Sequence, residues 1–189
     1  MWLQFSKFKN LKLLYSFQNK LYQEIKDTVE ENNGDENLDF NTLQNMSYLN
    51  KVIKESLRLW GLNFFDRTCT KEYHFAEINL TIRKGMIVQF GGGGIMLDEK
   101  HFKDPMTFDP ESHFPDDTLT PNSFFAFGQG PRNCIGMRFA YTMVRAGLVH
   151  SLMKFRFVPA AKTIDKWEID PLSPGSLPKG GLHVKLESR

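Results

Sequence analysis

The stretch FFAFGQGPRNCIGMRFA, residues 124–140, contains the residues on which the interpretation of this chain depends. Five of its positions are of the kinds that a ligand-binding loop uses: Phe127, Gly130, Arg132, Cys134 and Gly136. Glycine lets the backbone approach a ligand closely, and the planar guanidinium of arginine matches a carboxylate. A cysteine just before a helix meets unpaired N–H groups that favour its thiolate form. The stretch therefore indicates a thiolate held in a shaped loop.

A buried and inert cysteine is the plain alternative for Cys134, because a lone cysteine is among the most buried residue types. The neighbours favour a ligand instead, since Phe127 offers an aromatic face beside the sulfur and Pro131 stiffens the loop. A thiolate, an aromatic wall, a carboxylate-binding arginine and a close backbone together suit a flat metal-containing ring with acidic side chains. Haem is such a ring, so the loop predicts haem binding.

Composition excludes several other classes of protein. The chain has 189 residues, of which 41% are hydrophobic and 24% charged, which is enough for one domain with a core. A formal net charge of +2 is too small to indicate a nucleic-acid partner. Two cysteines, Cys69 and Cys134, exclude a disulfide framework and favour a reducing compartment, with a single disulfide left as the alternative. No apolar run reaches the ~18–20 residues of a membrane-spanning helix, and the amino terminus makes a poor secretory signal.

Hydrophobic periodicity predicts helices at three places: residues 8–31, 47–60 and about 137–154. Short strands in a hairpin are expected between residues 70 and 90, with a turn at Lys84-Gly85, and the glycines at 91–94 interrupt them. The loop that follows is expected to pack through its regularly spaced phenylalanines. Strand-like segments close the chain, namely KFRFV and the alternating Leu182, Val184 and Leu186. The expected fold class is mainly α with small β-sheets.

The spacing Phe127-x-x-Gly130-x-Arg132-x-Cys134-x-Gly136 resembles the haem-binding loop of the cytochrome P-450 superfamily. A chance match in a chain of this composition is on the order of one in ten thousand or rarer. In that family a cysteine thiolate ligates the haem iron. The resemblance implies that Cys134 is the catalytic residue and the metal ligand of haem b. It implies that the other four positions of the loop bind this cofactor.

Two further segments resemble the same family. KESLRLW is similar to its Glu-x-x-Arg helix, with Glu55 and Arg58 in the matching places. On a helical wheel these two lie opposite the apolar stripe, so a solvated ion pair worth ~0.2–0.5 kcal/mol explains them as well. The resemblance implies instead a buried structural network behind the haem loop. Arg67 looks like a second arginine for the haem propionates, whereas an isolated arginine would be exposed more often than not.

FDPESHF, residues 108–114, is similar to the Pro-Glu-Arg-Phe loop of the family, whose arginine joins the Glu–Arg pair. Here Ser112 and His113 stand where a single arginine is expected, within Pro110-Glu111-Ser112-His113-Phe114. His113 offers a weaker donor whose charge depends on pH. The departure puts the three-membered network in question.

The resemblance covers residues 18–189, as the carboxyl-terminal haem-binding portion of a cytochrome P-450 domain, and residues 1–17 look like an atypical leader. The segments RKGMIVQF, GPRNCIG and KFRFVP are similar to those of the animal drug-metabolising branch of the family. Chains of the family are more than twice as long, so the expected fold is a truncated one. It would lack the membrane anchor and the long helix that activates oxygen over the haem.

The resemblance implies a haem-thiolate monooxygenase, an oxidoreductase that inserts one oxygen atom from O2 into an apolar small molecule. Electrons would come from NADPH through a reductase. Arg138 and Arg145 are candidates to contact this reductase, although their placement on a solvated helix face is the better explanation. The family lies at the endoplasmic reticulum membrane, and a chain without an anchor would be cytoplasmic if stable. We expect little or no activity from these residues alone.

A non-catalytic, truncated haem-binding relative is the alternative. A nucleotide-binding module fails because Asn133 occupies the third glycine position of the dinucleotide fingerprint. A zinc site fails because the five histidines are scattered and no Cys-x-x-Cys occurs.

Overall fold

A computed structural model describes residues 11–62, 64–115, 122–163, 168, 170 and 178–189. Within these residues there are six α-helices, α1 to α6 in chain order: Leu11–Glu31, Phe40–Asn45, Ser47–Trp60, Gly92–Met96, Pro110–His113 and Met137–Lys154. The described strands, β1 to β6, are Phe65–Thr68, Tyr73–Phe75, Leu80–Ile82, Ile87–Phe90, Phe155–Pro159 and Val184–Ser188. Helices with three small antiparallel sheets confirm the predicted fold class.

The three predicted helices are confirmed as α1, α3 and α6, and residues 8–10 of the first prediction lie outside the described residues. In α1 the buried residues recur every four positions, as Leu21, Ile25 and Val29, so one face of the helix points into the core. The helix ends at Glu31, and the predicted stop signal Asn33-Gly34 follows it, where both residues have positive φ and the Gly34 amide donates to the Val29 carbonyl. The short helix α2 was not predicted, and it begins after Asp39, whose carboxylate accepts from the Thr42 amide.

A carboxylate of α1 fixes the start of α3. The two oxygens of Glu24 accept hydrogen bonds of 2.7 Å from the amides of Tyr48 and Leu49. These amides belong to the first turn of α3, which has no partner for them within the helix. The contact holds α3 against α1, and helices α2 and α6 complete the same core. Its buried members are Leu21, Ile25, Val29, Leu43, Met46, Tyr48, Leu49, Ile53, Val149 and Leu152.

A second apolar cluster lies under the long loop and next to the cysteine loop. It contains Met96, Phe102, Phe114, Phe124 and Ala126. The rings of Phe114 and Phe124 meet edge to face at 5.7 Å, an arrangement that aromatic pairs favour. The prediction that phenylalanines pack this loop is confirmed.

The strands between residues 65 and 90 form two separate pairs. β2 and β3 form the expected hairpin, with Tyr73 opposite Ile82. The turn at Lys84-Gly85, by contrast, joins β3 to β4, which pairs with β1 in another sheet. The prediction of one hairpin with its turn at Lys84-Gly85 is therefore wrong, because the strands on either side of this turn, β3 and β4, pair with different partners. The last two predicted strands are confirmed as the antiparallel pair β5 and β6.

The glycine run 91–94 ends β4 as expected, but it does not continue as weakened strand. Gly92 opens the short helix α4 and is buried. A Cβ at Gly92 would lie 3.0 Å from the Cβ of Phe125 and 3.2 Å from the ring of Phe65. A glycine is needed here because the backbone passes close to these two side chains. No helix among the described residues combines the length and the apolar character that crossing a membrane requires.

Candidate functional site

The cysteine loop is a compact turn closed by its own backbone. Residues Gly130–Arg132 form a single 3₁₀ turn, and the Cys134 amide donates to the Phe127 carbonyl at 2.8 Å. Gly130 and Gly128 have φ angles of +75° and +72°, which other residues adopt only with strain. Helix α6 begins three residues after Cys134, at Met137. The local sequence therefore builds a rigid loop that leads into the amino terminus of a helix.

The Cys134 side chain is exposed and is not packed into the apolar core. A Cβ at Gly136 would lie 3.9 Å from the Cys134 sulfur, so the absence of a side chain there leaves one flank of the sulfur open. Large apolar side chains stand next to it, with Ile135 fully exposed and Phe139 71% exposed. The thiol thus belongs to an apolar surface, where a free cysteine with only a packing role would be buried.

The Arg67 side chain contacts the cysteine loop at the backbone of Arg132. Arg67 lies in β1, and its Nη2 donates to the Arg132 carbonyl at 3.1 Å. Its Nη1 donates to the Asp66 carbonyl at 2.6 Å. Both arginines are exposed, so their remaining donors can reach a ligand. The contact joins β1 to the cysteine loop, although the two are 65 residues apart in the chain.

An open cavity of about 380 Å³ lies beside Arg67. Aromatic and small residues predominate in its lining, which includes Phe65, Phe90, Gly92, Phe125 and Gly128. Cys134 is not among the described lining residues. The cavity and the cysteine loop meet at Gly128, where an added Cβ would lie 3.7 Å from the Cα of Asn133 and 3.6 Å from the Phe65 ring.

Phe127 connects the loop to the interior. Its ring lies 5.2 Å from the ring of Tyr141 in α6, and it packs against the second apolar cluster. The side chain is half-buried, so it supports the loop from the protein side.

Glu55 and Arg58 form a fully buried ion pair, and both side chains are 0% exposed. Arg58 Nε donates to Glu55 Oε2 at 2.7 Å, and Nη2 donates to Oε1 at 2.9 Å. The guanidinium also donates to the carbonyls of Met96, Pro105 and Thr107. The solvated pair that the helical wheel favours is therefore wrong, because the loop after α4 covers this face of α3.

His113 completes the network in place of an arginine. Its Nδ1 lies 2.9 Å from Glu55 Oε1, while Ser112 is exposed and gives its amide to Asp109. Burial raises the pKa of Glu55, but hydrogen bonds from Arg58 and His113 outweigh this and hold it below its ordinary value. Burial lowers the pKa of His113, and the hydrogen bonds to Glu55 and to the Lys103 carbonyl outweigh it, so this pKa is raised. A three-membered network exists, with a histidine as its third member.

The residues present fit a haem group by the chemistry of their donors. The exposed thiol of Cys134 offers one soft ligand, which suits iron in a porphyrin because the ring nitrogens supply the others. The guanidinium groups of Arg67 and Arg132 suit carboxylates. Within the part of the chain that the structure describes, no three His, Cys, Asp or Glu side chains gather as a metal site of their own.

The other basic candidates behave differently from one another. Arg138 is exposed on α6, whereas Arg145 donates from Nε to the buried Asn50 side chain at 2.8 Å and lies over the Tyr141 ring. Arg145 is therefore a partner within the fold as well as a basic residue.

Sequence reasoning missed Gly128 and Phe65 at this site. The signal for Gly128 was its position two residues before Gly130, and the left-handed conformation explains it. Phe65 had no signal, because its ring lies next to Gly92 and Gly128, which are far from it in the chain.

Comparison with known proteins places this arrangement in a family. The family model described as Cytochrome P450 matches residues 15–184. Cytochrome P450 6B1 of Papilio polyxenes is 35% identical over 175 residues, which are 91% of this chain and 35% of that protein. Cytochrome P450 9e2 of Blattella germanica is 37% identical over 177 residues, 91% of this chain and 33% of that protein. The chain spans about a third of the length of these curated relatives. The loop, the buried Glu–Arg pair and these similarities agree, and the chain belongs to the cytochrome P450 family.

Proposed function

We propose that this chain provides the thiolate side of a haem-binding site, with Cys134 as the iron ligand. The observation that supports this most is the exposed Cys134 sulfur in a glycine-shaped loop beside two arginines. In this proposal Arg67 and Arg132 bind the propionates of haem b through charge-assisted hydrogen bonds. Phe127, Gly130 and Gly136 shape the loop around the sulfur, and Glu55 with Arg58 holds the loop's surroundings to α3. Residues 18–189 form this haem-binding portion.

The proposed activity is that of a haem-thiolate monooxygenase. Haem with a thiolate ligand supplies cleavage of the O–O bond of dioxygen and insertion of one oxygen atom into an apolar small molecule. The protein's part is to keep Cys134 deprotonated, to orient the ring through its arginines and to supply apolar contact. Electrons would come from NADPH through a reductase, and the endoplasmic reticulum membrane is the proposed location by family.

We expect little turnover from these 189 residues alone. The proposed haem-binding residues, Cys134 with Arg67 and Arg132, would hold the ring from its thiolate side and would leave its other face open to water. Monooxygenation needs a site from which water is excluded, because water destroys reactive intermediates.

Titrating the purified chain with haem tests the proposal. We expect a ferrous carbon monoxide complex with the red-shifted Soret band of thiolate ligation. Cys134→Ser should abolish this band, and Cys69→Ser is the matched control that should keep it. Arg67→Ala should weaken haem affinity without changing the position of the band. A spectrum like that of free haem, or a band that survives in Cys134→Ser, would overturn the proposal.

A further inference from the structure

His113 is a buried titratable side chain for which the proposed haem chemistry has no use. Its side chain is only 3% exposed. It lies at the end of α5, between α3 and the loop that follows α4. Nδ1 is 2.9 Å from Glu55 Oε1, and Nε2 is 2.6 Å from the carbonyl oxygen of Lys103. The Phe102 ring meets the imidazole edge to face at 5.6 Å.

Both ring nitrogens of His113 therefore face an acceptor. A neutral imidazole has one N–H group, so only one of the two contacts could then be a hydrogen bond. The other would bring a nitrogen lone pair against an oxygen lone pair. An imidazolium donates from both nitrogens. The geometry fits the protonated side chain.

The charges that face His113 come from α3. The Glu55 carboxylate favours the imidazolium, and the Arg58 guanidinium disfavours it. From the loop, Lys103 contributes its carbonyl oxygen, and the residue itself is exposed. Asp109, at the start of α5, donates its amide to Glu55 Oε1 at 2.9 Å.

The remaining acidic groups near α5 are turned to other partners. The Asp109 carboxylate accepts from the Ser112 amide. Glu111 is exposed and is paired with Lys20 of α1. Glu55 is therefore the carboxylate in direct contact with the imidazole in the described structure, and the raised pKa of His113 agrees with this contact.

We propose that His113 is a proton-dependent bridge that fastens the loop of residues 97–109 to α3. When protonated, it joins the Glu55 carboxylate to the Lys103 carbonyl. When it loses its proton, one of these hydrogen bonds is lost. The loop also supplies the Pro105 carbonyl to Arg58, so the bridge strengthens the same attachment from the other side. This inference does not depend on whether the chain binds haem.

The direction of the pH dependence follows from the raised pKa. An unfolded histidine titrates near pH 6.5. A folded pKa above that value makes the bridge stabilising, fully so below about pH 6.5, and the contribution is lost as pH rises through the folded pKa. The chain should therefore lose stability as pH rises above about 6.5 and through the folded pKa of His113.

Melting temperatures of the full 189-residue chain between about pH 6 and pH 9 test the bridge. We expect the wild-type Tm to fall by about 2–4 °C over this range relative to His113→Arg, which keeps a permanent cation. His113→Gln should melt lower and show no such fall. His101→Gln removes an exposed histidine of the same loop, so it should follow the wild type. If His113→Gln retains the wild-type pH dependence, the bridge is refuted.

Nitrogen-15 NMR of the histidine rings in the wild-type chain gives an answer even if a variant fails to fold. At pH 6 we expect protons on both ring nitrogens of His113. A purely structural histidine in the neutral form would carry one. A single ring proton at this pH would overturn the proposal, whatever the melting temperatures show.

Discussion

Replacing Arg58 with methionine should remove much of the folding free energy of this chain. The side chain is 0% exposed and donates to Glu55 and to three backbone carbonyls. Methionine keeps most of the apolar stem, so the loss reflects the guanidinium rather than the packing. Removing one partner of a buried ion pair costs ~3–5 kcal/mol. Small domains have ~5–15 kcal/mol in total.

Urea unfolding followed by circular dichroism measures the loss. The matched control is Lys20→Met, which removes the exposed partner of Glu111, where both side chains are 52% exposed. We expect that control to stay within ~0.5 kcal/mol of the wild type. The double variant Glu55→Gln with Arg58→Met should be more stable than Arg58→Met alone, because it no longer buries a carboxylate that has lost its two hydrogen bonds from Arg58 and keeps only His113 and the Asp109 amide. Recovery should be incomplete, since the carbonyls of Met96 and Pro105 still lack their donor.

Two outcomes would refute this reasoning. If the free energy of unfolding of Arg58→Met stays within ~1 kcal/mol of that of the Lys20→Met control, the buried guanidinium does not contribute as argued. Glu55→Gln alone completes the cycle. If the double variant loses as much free energy of unfolding as Glu55→Gln and Arg58→Met lose together, Glu55 and Arg58 do not interact.

Two further predictions concern the helix contact and the cysteine loop. Glu24→Gln should lower the free energy of unfolding in urea by ~1–2 kcal/mol, because two amides in the first turn of α3 lose their charged acceptor. The control Glu30→Gln, on the exposed face of α1, should be near neutral. Equal effects of the two substitutions would contradict this explanation. Gly128→Ala should destabilise the chain by ~1–2 kcal/mol, because the φ angle of Gly128 is +72°. Gly147→Ala should stabilise it by ~0.5–1 kcal/mol, because Gly147 lies within α6 with open space around it. The same sign for both substitutions would contradict the conformational explanation.

The sequence predicted the long helices because their apolar residues recur at helical spacing over several turns. It missed α2, whose six residues are too few for a periodic signal and whose marker is the single residue Asp39. It also misplaced the pairing of the strands near Gly85. β1 and β4 are short and lie 19 residues or more apart in the chain at their paired positions, so local pattern does not define their register.

For the site, the spacing around Cys134 was enough to select the loop, because each residue type there has its own physical reason. The burial of Glu55 could not be predicted from a helical wheel. A wheel reports which face of a helix is polar, but it does not report that another segment folds over that face. The resemblance indicated the burial, and the carbonyls of Met96 and Pro105 explain how the charge of Arg58 is accommodated.

Phe127 attaches the cysteine loop to the rest of the protein. Its carbonyl holds the Cys134 amide, while its ring is inserted between Tyr141 and the phenylalanine cluster. Separating the loop from the protein would withdraw this half-buried ring from its contacts with Tyr141 and the phenylalanine cluster. The Cys134 amide proton should consequently exchange with deuterium more slowly than its exposed position suggests, because its release requires Phe127 to move.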